Sequence, residues 1–207
     1  MTRRSTIAGV ILATLVTAKA GIDLTPSVND YVSEGMKYQK LIFRDDKRRV
    51  EYNPPVNWSF VGSAGQLRLT PPKKNFAEAT IEAVMLEKAQ PLDQMAVKAL
   101  EQRAIADLPP GSQFAKVEQE LENSVPVNGG PSFEIVISYQ AMGEKLVKSL
   151  VLANVQNAQL IFRLTARKDD FETLHRDFKA SIFSWHWVEA SQSASEVAKQ
   201  AEQPAAR

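Results

Sequence analysis

The chain has 207 residues, of which 44% are hydrophobic and 24% charged, a composition typical of one globular domain. It contains no cysteine, which excludes disulfides, thiolate nucleophiles, thiolate metal ligands and lipid attachment through a thiol. The formal net charge is only +1 and the basic residues are scattered, which argues against nucleic acid as a partner.

The first twenty residues have the three parts of a secretory signal peptide. Arg3 and Arg4 form a short positive region, an apolar stretch covers residues 7–18, and Ala18-Lys19-Ala20 matches the A-x-A cleavage pattern. Cleavage there leaves a mature chain that starts at Gly21 and works in the periplasm or the extracellular space. The alternative is a retained membrane anchor, but spanning a bilayer takes about 20 apolar residues and this stretch is shorter.

The mature chain is predicted to have three parts. Residues 21–39 mix Gly, Pro, Ser and Asn with few apolar residues, and we expect a leader segment with one helical turn around Tyr31 and Val32. A single domain is predicted over residues 40–188. Residues 189–207 are rich in Ala, Ser, Gln, Glu and Lys, which predicts a disordered tail.

Alternating apolar residues predict strands in the first half of the domain. Two strands joined at Asp45-Asp46-Lys47 form a hairpin, and Asn53-Pro54-Pro55 ends the second strand because proline cannot donate a hydrogen bond to a sheet. A short strand that ends at Pro71-Pro72 and a longer strand follow. The apolar positions of these four strands are Leu41, Phe43, Val50, Tyr52, Leu67, Leu69, Ile81, Ala83 and Met85.

The apolar period becomes helical between Pro91 and Leu108. Pro91 suits the first helical position, Asp93 favours the positive end of the helix dipole, and Pro109-Pro110-Gly111 ends the helix. Four strands then follow, and their short links favour antiparallel neighbours. The buried positions predicted for the helix are Leu92, Met95, Ala96, Ala99, Leu100 and Ala104, and those for the strands are Ala115, Val117, Leu121, Phe133, Ile135, Ile137, Tyr139, Leu150, Leu152, Leu160, Phe162 and Leu164.

A second amphipathic helix is predicted to close the domain. Asp169 and Glu172 have the spacing of a capping box at its start. Its apolar stripe is formed by Phe171, Leu174, Phe178, Ile182 and Trp185. The order of elements predicts an α+β fold, in which an antiparallel β-meander is flanked by two amphipathic helices as an α/β/α sandwich.

Two groups of residues and the order of elements carry a family resemblance across residues 40–188. The first group is Tyr52, Pro54, Pro55 and Trp58, and the second is Phe171, Phe178 and Phe183. The first resembles the opening apolar-Pro-x-x-Trp pattern, and the second the closing aromatic helix, of the PsbP-like and DcrB-like proteins, whose fold is shared with a Ran-binding nuclear import factor. This resemblance implies an antiparallel sheet between helices in an exported protein that binds or stabilises an assembly. It implies no cofactor site.

Residues with chemical potential are sparse in this sequence. His175 and His186 are eleven positions apart, which makes a weak zinc site in a chain without cysteine. We expect His175 to pack against or cap the last helix, and His186 to join an aromatic cluster with Trp185 and Trp187. Residues 62–65 do not match the nucleophile elbow. No metal or cofactor is predicted, and the chain is predicted not to be an enzyme.

The leading hypothesis is an exported, non-catalytic protein of the cell envelope that binds a partner protein or assembly. The candidate partner surface is Asn53, Pro54, Pro55 and Trp58, where prolines prevent strand pairing and hold an aromatic residue near a sheet edge. The alternative for Trp58 is a place in the core. The alternative function is a periplasmic carrier of a small apolar ligand, with its pocket between the sheet and the last helix. An enzyme, such as a hydrolase, is a third hypothesis and needs a strongly shifted titratable group in a cleft.

Overall fold

The computed structural model describes residues 22–45, 48–86, 91–155 and 158–189. The predicted signal peptide, its cleavage site at Ala18, Ala20 and Gly21, and the predicted tail from residue 190 onward lie outside the described residues.

The described chain contains eleven strands and two helices. In chain order they are β1 (Asp23–Ser33), β2 (Met36–Asp45), β3 (Arg48–Tyr52), β4 (Ser59–Gly62), β5 (Gln66–Thr70), β6 (Glu78–Met85), α1 (Gln94–Ala106), β7 (Gln113–Glu122), β8 (Ser132–Ala141), β9 (Glu144–Val155), β10 (Ala158–Arg167), α2 (Lys168–Ile182) and β11 (His186–Glu189). The predicted α+β class, with antiparallel strands and two helices, is confirmed.

The strands form two sheets. The larger sheet has seven strands in the order β4-β5-β6-β10-β9-β8-β7, and the smaller has four in the order β1-β2-β3-β11, with every pair antiparallel. The predicted meander corresponds to β7 through β10. The second sheet was not predicted, because two of its strands lie in segments expected to be a leader and the end of a helix.

The leader prediction for residues 21–39 is wrong in the described part of that segment. Residues 23–33 form β1, which pairs with β2, and Tyr31 lies opposite Tyr38 where a helical turn was expected. The pairing register shifts between Asp23 and Ser27, around Pro26. Residues 27–33 of β1 are exposed on both faces, so the alternation of apolar and polar residues that reveals a half-buried strand is absent there.

Apolar side chains cover both faces of the larger sheet. On one face, Leu100 and Ala104 of α1 pack against β8, β9 and β10. On the other face, α2 and the smaller sheet pack against the larger sheet in a single cluster around Trp185. The ring of Trp185 lies 5.6 Å from Phe43, 5.8 Å from Tyr52 and 5.7 Å from Phe162, measured between ring centroids.

The helix ends differ in detail from the predictions. Asp93 is the N-cap of α1, where its side chain accepts a hydrogen bond from the Ala96 N–H at 2.8 Å, so Pro91 precedes the helix instead of starting it. The N-cap of α2 is Arg167, and no side chain caps this end, so the predicted Asp169–Glu172 capping box does not form. The helix ends at Ile182, and Trp185 lies in the turn that leads to β11.

Gly62 of β4 lies close against the start of β1, where the two sheets meet. A Cβ atom at this position would lie 2.3 Å from the carbonyl oxygen of Leu24 and 2.4 Å from Cδ of Pro26. We therefore expect Gly62→Ala to lower the free energy of unfolding by roughly 1 to 3 kcal/mol, because backbone has to move to relieve the clash. Urea unfolding measures this loss. Gly65→Ala is the matched control, since nothing lies within 4 Å of its Cβ position, and a loss there as large as at Gly62 would contradict the account.

Candidate functional site: a tyrosine–proline groove

The predicted partner segment connects β3 to β4 beside the C-terminal half of α2. Asn53 and Pro54 are half-buried and Pro55 is buried, whereas Val56 is exposed. Trp58 is only 5% exposed and its ring stacks on Phe178 at a centroid distance of 6.3 Å. The structure thus leaves Pro54 and Val56 accessible, buries most of Pro55, and places Trp58 in the core.

Hydrogen bonds to the end of α2 fix this segment in place. The backbone N–H of Asn53 donates to Oγ of Ser184 at 2.8 Å, and Oγ of Ser184 donates to the carbonyl of Ser181 at 2.6 Å. The hydroxyl of Tyr52, just before the segment, lies 2.8 Å from Oγ of Ser181. Because prolines cannot pair with a strand, these bonds replace the sheet ladder and hold the segment rigidly against the helix.

A surface groove of about 400 Å³ runs between this segment, α2 and the hairpin of β1 and β2. We call it the tyrosine–proline groove. It is lined by Tyr31, Tyr38, Asn53, Pro54, Pro55, Val56, Asp177, Ala180 and Ser181. The two tyrosine rings stack with their centroids 5.5 Å apart. The site therefore includes three of the four predicted partner residues, and Trp58 supports it from below.

Acceptor groups lie at both sides of the groove. Asp177 lines it on the helix side, and Asp30 lines an adjoining recess of about 210 Å³ together with Lys37 and Gln39. Gln39 donates a hydrogen bond to Asp30 at 3.2 Å. The buried Oδ1 atom of Asn53 has no hydrogen-bond partner among the described residues. The groove thus combines an apolar aromatic floor with carboxylate and amide acceptors.

Sequence reasoning missed these tyrosines because it assigned Tyr31 to a leader. It missed Asp177 and Ala180 because they lie on the side of α2 away from its apolar stripe. The only available signal was the pairing of Tyr31 with Tyr38 across a tight turn at Glu34 and Gly35, whose φ angles of 51° and 78° are those of a hairpin turn.

A buried ionic cluster

A second polar site lies beneath α2, around Glu134 of β8, whose side chain is 0% exposed. Its carboxylate accepts hydrogen bonds from Nε2 of His175, from Nζ of Lys179 at 3.0 Å and from Oγ of Ser149 at 2.6 Å. Burial by itself raises the pKa of Glu134. The hydrogen bonds from His175 and Ser149, the charge of His175 and the hydrogen bond from Lys179 outweigh burial and lower this pKa to about 2.

This cluster was not predicted from the sequence. Glu134 interrupts an apolar strand on the side that faces α2, and His175 and Lys179 are four positions apart on the helix, so both reach it. His175 also stacks on Phe171 at 4.8 Å, in agreement with its predicted packing role. His186 does not join the aromatic cluster. Its Nδ1 lies 2.7 Å from the carbonyl oxygen of Ser184, and its side chain is half-exposed.

The geometry of the cluster suits an ion bridge between helix and sheet. A serine nucleophile of the Ser–His type needs a hydroxyl that the histidine can deprotonate. Here the hydroxyl of Ser149 donates to Glu134 and its residue is 1% exposed, so it is neither bound to His175 nor accessible. Within the described ranges, no group of three or more His, Asp or Glu side chains is arranged to hold a metal ion.

The comparisons with known proteins concern the fold alone. No family model and no curated protein matches the sequence. In structure, the chain is similar to cyanobacterial PsbP (CyanoP) from Synechocystis sp. PCC 6803, with 12% identity, a TM-score of 0.49 and coverage of 83% of this chain and 98% of that one. The resemblance to PsbP-like proteins that the sequence predicted is thus found again in the structure comparison.

Two further solved structures are similar at lower TM-scores. A protein from Bacteroides thetaiotaomicron VPI-5482 has 12% identity and a TM-score of 0.46, and this chain, with 69% of its residues matched, spans 46% of that protein. A protein of unknown function, PA94, from Pseudomonas aeruginosa has 15% identity and a TM-score of 0.39, over 75% of this chain and 94% of that one.

Proposed function

We propose that the protein is an exported, non-catalytic binding protein of the cell envelope, and that its tyrosine–proline groove holds an extended apolar segment of a partner protein. The observation that carries this proposal is the groove itself, in which a stacked tyrosine pair faces two prolines fixed to α2. Aromatic side chains supply much of the energy of protein interfaces, and aromatic-lined grooves bind extended proline-containing segments.

The rigidity of the groove supports binding because little conformational entropy remains to be lost. The segment that carries Pro54 and Pro55 is already tied to Ser181 and Ser184. Acidic and basic groups balance at its sides, since Lys37 lines the recess with Asp30 and Nε of Arg176 lies 3.7 Å from Oδ1 of Asp177, so the apolar floor of the groove defines the partner segment.

The non-catalytic part of the proposal rests on the Glu134 cluster. A catalytic acid or base has to reach a substrate, whereas both carboxylate oxygens of Glu134 are occupied by protein donors and the side chain is inaccessible. Export is supported by the signal-peptide pattern of residues 1–20. In the part of the chain that the structure describes, no helix is long and apolar enough to cross a membrane.

The carrier alternative places an apolar ligand between the larger sheet and α2. That space is filled by the stripe of the helix itself, since Leu174, Phe178 and Ile182 are 6%, 1% and 0% exposed. Trp58 stacks on Phe178 from the other side. The structure favours a groove at the surface over a pocket under the helix.

Site-specific photocrosslinking in intact cells tests the proposal. A photoreactive residue at Val56, on the groove, is expected to give a discrete protein adduct, because Val56 lines the groove and is 55% exposed. The same residue at Val61 is the matched control, since Val61 is 73% exposed on β4 and does not line the groove. The mass of the exported chain is measured in the same preparation and is expected to begin at Gly21.

A blocking variant makes the test specific. Ala180 is exposed on α2, so Ala180→Arg fills the groove without entering the core and is expected to reduce the Val56 adduct at least tenfold. The same adduct from Val61, or an adduct that Ala180→Arg leaves intact, would contradict binding in the groove. An unprocessed chain in the cytosol would contradict export.

A further inference from the structure

One end of the larger sheet gathers four connections. At this end, the loop of residues 71–77 leads into β6 and the turn of residues 142–143 joins β8 to β9. Strand β7 also begins at this end, and β10 ends there and continues into α2. The strand registers place them at the same end, since Thr165 lies opposite Glu78, Ala141 opposite Glu144 and Gln113 opposite Gln140. We call this end the apolar rim, because large apolar side chains project from it.

Three large apolar residues form the rim: Phe76, Phe114 and Met142. They are 44%, 79% and 74% exposed. Each also has a left-handed backbone, with φ angles of 62°, 54° and 52°. Bulky residues are disfavoured at such angles, and Gly or Asn would be less costly there and would leave no apolar group in water. All three positions therefore combine an unfavourable backbone conformation with an apolar side chain exposed to water. This combination points to a function that needs these side chains at the surface.

Lysines surround the rim. Three pairs there are neutral: Lys74 with Asp170 at 2.6 Å, Lys116 with Glu118 at 2.8 Å, and Arg167 with Glu144 at 2.7 Å. The guanidinium of Arg167 also lies over the ring of Phe76 at 4.8 Å.

The remaining charges at the rim give an excess of positive charge. Lys73, Lys145 and Lys168 are exposed and form no salt bridge with a described residue, and the exposed acids left beside them are Asp169 and Glu172, so three positive charges face two negative ones. The charge of Lys168 also acts on Glu118. The rim thus carries exposed apolar side chains and a small excess of lysine in the same place.

We propose that the apolar rim rests on the surface of an anionic phospholipid membrane. Phe114 and Met142 enter the boundary between headgroups and acyl chains, and the lysines contact lipid phosphates, which is how interfacial binding combines apolar area with charge. Neighbouring strands lie about 4.8 Å apart, and β6 and β7 are four steps apart in the sheet order, so the rim extends about 19 Å along this end of the sheet.

The shape and charge of the rim favour a lipid surface over a protein segment. Its apolar groups project separately from a loop, a turn and a strand end, whereas a protein segment is normally held in a concave, continuous surface. The excess of lysine matches the negative potential of anionic leaflets. This surface lies at the N-terminal end of α2, away from the groove, and the proposal goes beyond the function of the groove.

Co-sedimentation with lipid vesicles tests the proposal. Wild type and variants are purified identically, so that they share one N-terminus, and are mixed with vesicles of phosphatidylcholine and phosphatidylglycerol at a ratio of 3:1, or of phosphatidylcholine alone. Wild type is expected to partition at least tenfold better onto the anionic vesicles. Neutralising Lys73, Lys145 and Lys168 to Gln is expected to weaken binding about fivefold per lysine, the equivalent of about 1 kcal/mol each.

The apolar contribution is tested with a matched pair of double variants. Phe114→Gly with Met142→Asn is expected to reduce binding to the anionic vesicles at least tenfold. Met95→Ser with Phe183→Ser is the control and is expected to change binding less than twofold. Its two positions are 82% and 67% exposed, at the start of α1 and just after α2.

A melting curve separates loss of binding from loss of folding. Because Gly and Asn tolerate a left-handed backbone, the Phe114→Gly, Met142→Asn variant is expected to melt about 2 to 4 °C higher than wild type. Equal binding of wild type to both vesicle types, an unchanged affinity of the rim variant, or an equal loss in the control variant would each overturn the proposal.

Discussion

Glu134→Ala is expected to lower the free energy of unfolding by about 3 to 5 kcal/mol, the usual cost of removing one partner of a buried ion pair. The substitution leaves the charge of Lys179 and the ring of His175 facing an empty space beneath α2, and it leaves the hydroxyl of Ser149 without its acceptor. Urea unfolding at pH 7, followed by far-ultraviolet circular dichroism, measures the loss.

The isosteric variant Glu134→Gln tests whether charge is the cause. In wild type the pKa of Glu134 is lowered from 4.5 to about 2, so its ionisation stabilises the fold above pH 4.5 and this contribution is lost as the pH falls from about 4.5 to about 2. The shift corresponds to about 3 kcal/mol. Two other carboxyl groups behave in the same way. Burial raises the pKa of Glu51 and of Glu82, but pairing with Lys40 lowers the pKa of Glu51 and pairing with Arg163 lowers the pKa of Glu82, and in both cases pairing outweighs burial.

The quantity to follow against pH is therefore the difference in the free energy of unfolding between wild type and Glu134→Gln. This difference is expected to shrink on acidification because Glu134 becomes protonated in wild type, whereas the other carboxyl groups titrate in both proteins and cancel. A difference that stays constant from pH 6 to pH 2 would show that the carboxylate charge of Glu134 does not stabilise the fold.

Trp185→Ala is expected to lower the free energy of unfolding by roughly 3 to 5 kcal/mol. Trp185 is 0% exposed and contacts Phe43 and Tyr52 of the smaller sheet, Phe162 of the larger sheet, and Trp187. Its removal leaves a cavity where the two sheets and α2 meet. The midpoint and slope of a urea titration measure both the loss and any change in cooperativity.

Trp185→Phe is the matched control for this prediction. The indole Nε1 is buried without a hydrogen-bond partner among the described residues, so phenylalanine removes no hydrogen bond and keeps most of the ring contacts. We expect it to cost less than half of the loss in Trp185→Ala. Phe183→Ala, at a 67% exposed position, is expected to change stability by less than about 0.5 kcal/mol. Equal losses at positions 183 and 185 would contradict this account of the core.

The elements with a strong buried period could be predicted from the sequence, and the others could not. The hairpin of β2 and β3, strands β5 and β6, strands β8 to β10 and α2 have buried apolar residues on a regular period. The sequence also predicts α1 and β7, but the prediction that Met95, Ala115 and Leu121 are buried is wrong, because all three are exposed. Strand β11 has only four residues and follows a helical stripe that continues through Trp185, so its local signal is that of a helix end. Its partner β3 lies more than 130 positions away, and only the folded chain brings the two together.

Only part of the candidate site could be predicted, because only part of it leaves a local pattern in the sequence. Pro54 and Pro55 interrupt an apolar pattern, and that interruption is visible in the sequence. The tyrosine pair and Ala180 come from elements that meet the prolines only through tertiary packing. Glu134 is also invisible to a local reading, because a single acid in an apolar strand reveals its partners only when the helix that carries them is in place.

The direction of α2 relates the two proposed surfaces. Its first turn lies at the apolar rim, and Asp177 and Ala180 of its second half line the tyrosine–proline groove. Its 15 residues, at 1.5 Å each, make a rod about 22 Å long. Ala180 lies twelve residues after Lys168, about 18 Å along the helix axis. A molecule seated on a bilayer by the rim would hold its bound segment no more than about that far above the headgroups, so the helix limits the standoff height at which a partner has to present its segment.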